Sequence, residues 1–72
     1  HDPQAQFDLA LALNATGDRE GATDALLSVV AKNRSWNDDA ARKQLLQFFE
    51  VWGPSDPATT SGRQRLSSLL FA

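Results

Sequence analysis

Two Asp-Pro pairs, Asp2-Pro3 and Asp56-Pro57, and two glycines, Gly17 and Gly53, cut this sequence into four segments. An Asp-Pro pair is a helix start. The carboxylate accepts from the free N–H groups of the first turn, and proline at the first helical position forfeits no hydrogen bond. Glycine just past a helix is a stop, because it takes up the left-handed backbone that closes the last turn. This punctuation predicts an all-α chain of four helices in two helical hairpins. The first helix runs from Pro3 to about Thr16. Asp18 caps the second, Glu20 adds negative charge to its first turn, and the helix frays near Asn33. Asn37 or Asp38 opens the third, which ends at Gly53-Pro54. Ser55 or Asp56 opens the fourth. Its Thr59-Thr60-Ser61-Gly62 stretch consists of weak helix formers and should be loose. Strand signals are absent, since β-branched residues are few and no segment alternates.

Apolar spacing assigns the inner faces. Ala22, Ala25, Leu26, Val29 and Val30 make a single stripe on the second helix. Ala41, Leu45, Phe48, Phe49 and Trp52 line the third. Phe48 and Phe49 are consecutive, so one of them is expected to turn towards a neighbouring chain. The first helix is different: Ala5, Phe7, Leu9, Ala10, Leu11, Ala12, Leu13 and Ala15 spread around more than one face. A helix apolar on two sides must be covered on two sides. Phe7, Leu9, Leu11 and Leu13 are therefore candidates for contact with a preceding repeat or with a second copy in a homodimer. The last stretch, Arg63 to Ala72, is basic and amphipathic, with Leu66, Leu69 and Leu70 at helical spacing and Phe71 beside them. Such a tail can lie in a partner's groove. Arg65, Leu66, Leu69, Leu70 and Phe71 are the partner-binding candidates; the competing role for Leu66 and Leu69 is to cap the core.

Bulk numbers narrow the function. Seventy-two residues form one small domain, residues 1–72. A core of that size rarely supplies more than roughly 3–5 kcal/mol. A net charge of −2 and a pI of about 5.0 argue against nucleic acid, which calls for a clustered basic face. No apolar run is long enough to span a membrane. The chain has no cysteine, which suits a reducing cytoplasm. It begins on a helix cap without an initiator Met, which implies a piece of a larger protein. Nothing points to an enzyme. Ser67 and Ser68 have no histidine near them in sequence, and His1, the one histidine, stands at the chain's end. Asp38 and Asp39 point to different sides of a helix with no third ligand at sensible spacing. They are read as helix caps, able to pair as Asp38–Arg42 or Asp39–Lys43, so no metal and no cofactor is expected.

The period of the pattern is also informative. Tetratricopeptide repeats are helix–turn–helix units of about 34 residues, with small residues where paired helices touch closely. With Gly17 at the turn, Leu9-Ala10, Leu13, Ala22, Leu26 and Val29 fall on such positions, so residues 3–36 resemble a first repeat. Gln6 and Arg34 depart from the pattern. Residues 37–72 resemble a degenerate terminal repeat: Leu45-Leu46, Phe49 and Ala58 fit, but Gly62 and Arg65 stand where apolar residues belong. Repeats that grip a C-terminal carboxylate use Lys and Asn on the first helix, whereas Phe7 and Leu11 stand there here.

The chain also resembles the C-terminal part of the thioredoxin-like co-chaperones called chaperedoxins. The likeness is carried by Asp2 to Ala10, Gly17-Asp18, Ala22, the Trp36-Asn37-Asp38-Asp39-Ala40-Ala41-Arg42-Lys43 stretch, Gly53 and the run from Arg63 to Phe71. It implies a helical module of a bacterial cytoplasmic protein that holds unfolding clients and hands them to the GroEL-type chaperonin. In that family the extreme C-terminal helix docks, a role that would map onto Arg65, Leu66, Leu69, Leu70 and Phe71. A thioredoxin-like domain would precede this segment.

Overall fold

The computed structural model describes residues 2–71, and among these four helices follow one another: α1 (Pro3–Ala15), α2 (Arg19–Lys32), α3 (Ala40–Trp52) and α4 (Pro57–Phe71). His1 and Ala72, the first without an assigned role and the second the last residue of the tail, lie outside the described residues. Three of the helix starts use the carboxylates that the sequence offers. Asp2 accepts from the Gln4 N–H at 3.1 Å, Asp18 from Gly21 at 2.8 Å, and Asp56 from Ala58 at 2.8 Å. Substituting such a cap by alanine typically costs ~1 kcal/mol. At the end of α1, the N–H groups of Gly17 and Asp18 return to the carbonyls of Asn14 and Leu13 at 3.0 and 2.9 Å. That pattern is a Schellman motif and requires the left-handed backbone found at Gly17, φ +90°.

The start of α3 departs from expectation. Asn37, Asp38 and Asp39 all take positive φ, at 49°, 59° and 64°, so the chain makes a left-handed turn and α3 opens only at Ala40. Asp39 precedes the helix without a side-chain cap bond. The left-handed region costs most L-residues roughly 1–2 kcal/mol, and Asn and Asp are the non-glycine residues that visit it routinely. The turn carries Trp36 onto Phe7, with ring centroids 5.5 Å apart. The ion pairs also differ from the expected i, i+4 register. They are Asp39–Arg42 at 3.7 Å and Asp38–Lys43 at 3.4 Å.

Helix α2 is the hub. It packs against α1, α3 and α4, and α3 packs on α4 as well. The expected stripe of Ala22, Ala25, Leu26, Val29 and Val30 is buried, and so are Thr23 and Leu27. These two lie four residues apart and give α2 a further buried face. Thr23 lies beside Gly62 of α4. On α3, Phe48 and Phe49 are both buried, so neither turns out to a neighbouring chain. Phe48 stacks on Trp52 at 5.2 Å, and Phe49 tilts against the same ring at 6.1 Å.

The first half of α4 is continuous helix and holds much of that helix's buried surface, including Ala58, Thr59 and Gly62. The expected looseness is offset by tertiary contact. A Cβ on Gly62 would lie 2.6 Å from the Phe49 ring, so the ring occupies the space that an apolar side chain at 62 would fill. The departure of Gly62 from the repeat pattern is thus compensated by bulk from α3.

Candidate protein-interaction surfaces

Long-range polar contacts fix how the helices run. Arg19, at the start of α2, pairs with Asp56 at the start of α4 and lies over the Trp52 ring. At the other end, Arg34 donates from Nη2 to the Leu69 carbonyl at 3.1 Å. Helices α2 and α4 therefore run in the same direction. Trp52 Nε1 donates to Asn14 Oδ1 at 3.0 Å, which pins the end of α3 beside the end of α1. The end of α4 consequently lies at the same pole as the end of α2 and the start of α1.

The tail residues do not behave alike. Leu66 is buried and belongs to the core. It is not available as a surface contact, which corrects its place among the docking candidates and gives it the capping role. Leu69 and Leu70 are half-buried, packed against the core by one side. Phe71 is 83% exposed. Arg65 pairs with Asp24 of α2 at 2.7 Å, so the basic residue expected to orient a partner is tied to the chain's own second helix. A groove of about 420 Å³ runs between α2 and α4, lined by Leu27, Ser28, Ala31, Ser68 and Leu69, with the Arg65–Asp24 pair alongside.

The α1 residues divide as well. Phe7 is half-buried against Trp36, and Leu13 is half-buried against the core. Leu9 and Leu11 point outward, 45% and 40% exposed. The exposed apolar surface of α1 is thus narrower than the four candidates imply. Where α1 begins and α2 ends, a shallow hollow of about 320 Å³ is bordered by Pro3, Gln6, Lys32 and Asn33.

Sequence reasoning missed three features. Arg34 stood out only as a departure from the repeat pattern, because its carbonyl partner is 35 residues away. Arg63 lies over the Phe49 ring at 5.4 Å. Val51 is 75% exposed on α3 and carried no periodic signal. Among the described residues no three His, Cys, Asp or Glu side chains gather as a metal-binding group. No described helix is long and apolar enough to cross a membrane.

Two hairpins packed around α2 are the architecture of a helical repeat, and residues 1–71 match the family model described as tetratricopeptide repeat. The chain belongs to that family. No curated protein and no solved structure matches it. Tetratricopeptide repeats are protein-interaction modules and typically non-catalytic; in this chain Phe71 at the end of α4 and Leu9 and Leu11 on the flanks of α1 are exposed.

Proposed function

We propose that this tetratricopeptide chain is the interaction module of a thioredoxin-like co-chaperone, and that the end of α4 docks on the GroEL-type chaperonin. The observation that carries the reading is Phe71, 83% exposed at the end of a helix whose preceding leucines are only half-covered. A large aromatic side chain held in water gains by burial against another protein. The Trp36 to Lys43 stretch and the run from Arg63 to Phe71, which carry the chaperedoxin resemblance, support the choice of partner. In this reading the protein works in the bacterial cytoplasm, holds unfolding clients and carries no cofactor. The test is capture of purified chaperonin by the chain and by a version ending at Leu69. The reading expects capture by the first only; equal capture by both removes it.

A second reading is favoured by Leu9 and Leu11, exposed on opposite flanks of α1 to either side of buried Ala10. There the outer side of α1 receives a preceding repeat or, in the isolated chain, a second copy. Sedimentation of the chain over a wide concentration range separates these. A dimer abolished by Leu9→Gln with Leu11→Gln supports self-association. A strict monomer leaves the face to a preceding repeat.

A further inference from the structure

The exposed end of α4 is accompanied by a cation from elsewhere in the chain. Arg34 lies in the α2–α3 connection, and its bond to the Leu69 carbonyl fixes the guanidinium at the last turn of α4. That carbonyl is one of the groups a helix C-terminus leaves unpaired, and a cation there also meets the negative end of the helix dipole. A guanidinium has five N–H donors in a planar fork, so a single carbonyl leaves most of them free.

The seven cations of the chain divide into two groups. Arg19, Arg42, Lys43 and Arg65 each pair with an aspartate, and Arg63 lies over Phe49. Arg34 and Lys32 are both exposed, and neither pairs with a carboxylate among the described residues. Of these, Lys32 borders the hollow at the start of α1, whereas Arg34 stands at the last turn of α4, the turn that carries Leu70 and Phe71.

We infer that the docking surface is composite: Leu70 and Phe71 supply its apolar part, Arg34 its positive edge, and its partner is a protein surface in which an apolar strip is bordered by carboxylates. This rests on the reading that the end of α4 docks, and it adds both the partner's chemistry and a residue outside the tail. Arg34 has two tasks: it positions the last turn through the Leu69 carbonyl, and it offers its remaining donors to a carboxylate, the planar acceptor that a guanidinium matches best. Opposite charges across such a contact chiefly supply selectivity and rate of association.

The experiment is a titration of the isotope-labelled chain, read at backbone amides, with three probes. These are a short amphipathic helical peptide of Leu and Glu, its Leu and Lys counterpart, and phosphatidylserine vesicles. The expected result is that the Leu/Glu peptide moves the amides of residues 32–34 and 69–71 at a concentration about tenfold lower than the Leu/Lys peptide does, as one charge-assisted contact allows. Arg34→Glu reverses that preference, Arg34→Lys keeps most of it, and circular dichroism reports that both variants fold. A role confined to holding the Leu69 carbonyl would not reverse with the charge. Equal response to both peptides, a stronger response to the vesicles, or changes at these amides from self-association alone would overturn the inference. Chaperonin capture is run in parallel. Capture without charge preference removes only this inference. Charge preference without capture removes the chaperonin as partner and leaves the surface chemistry standing.

Discussion

Helices α1 and α2 are near equals in length and opposite in fate. α1 carries eight apolar side chains between Ala5 and Ala15, yet Ala10 is its one buried residue. α2 includes Arg19, Glu20, Asp24 and Lys32, yet buries Ala22, Thr23, Ala25, Leu26, Leu27, Val29 and Val30. The difference comes from position. α2 has neighbours on several sides, whereas α1 packs chiefly on α2. Apolar content alone therefore does not mark the core of a repeat protein. It marks what must be covered, whether by the chain itself or by another.

The largest test of that contrast is Leu26→Ala, at a fully buried α2 site. A leucine cut out of a core costs about 2–5 kcal/mol, comparable with the whole stability of a domain this small, roughly 3–5 kcal/mol. Urea unfolding should find the variant largely unfolded in water. The matched change on α1, Leu9→Ala, should move stability by no more than about 0.5 kcal/mol. Similar losses at both sites would break the comparison.

Next comes Gly62→Ala on α4. Helix propensity alone would favour alanine by about 1 kcal/mol. The Phe49 ring occupies the space, and overpacking costs roughly 1–3 kcal/mol. A lowered melting temperature is expected; a raised one would show that Phe49 can yield. At Asn37 the left-handed backbone predicts that Asn37→Val loses about 1–2 kcal/mol while Asn37→Gly does not, measured by the same unfolding curves. The smallest effect is expected at Thr59, whose buried hydroxyl has no hydrogen-bond partner among the described residues. Thr59→Val should gain up to about 1 kcal/mol by removing that group.

The sequence showed most clearly what is local. Three helix starts were readable because an aspartate and its amide partner lie within three residues. The Gly17 stop was readable because its motif spans a single turn. The start of α3 was not, since the left-handed run at Asn37–Asp39 accompanies the packing of Trp36 on Phe7, a contact between distant segments. Leu66 and Phe71 illustrate the same limit within one helix. Both belong to the same terminal apolar run, and only the approach of α2 and α3 decides that one is core and the other surface. Arg34 was missed for the same reason.

One paired measurement bears most directly on the claim that the end of α4 exists to be covered by another protein. The chain carrying Leu70→Ser and Phe71→Ser is compared with the original for urea unfolding and for affinity towards the purified chaperonin. The account predicts a loss of stability of no more than about 1 kcal/mol, because Phe71 is exposed and Leu70 only half-covered. It also predicts an affinity lower by about tenfold or more. Undiminished affinity, or a chain that unfolds for want of these two side chains, would contradict it.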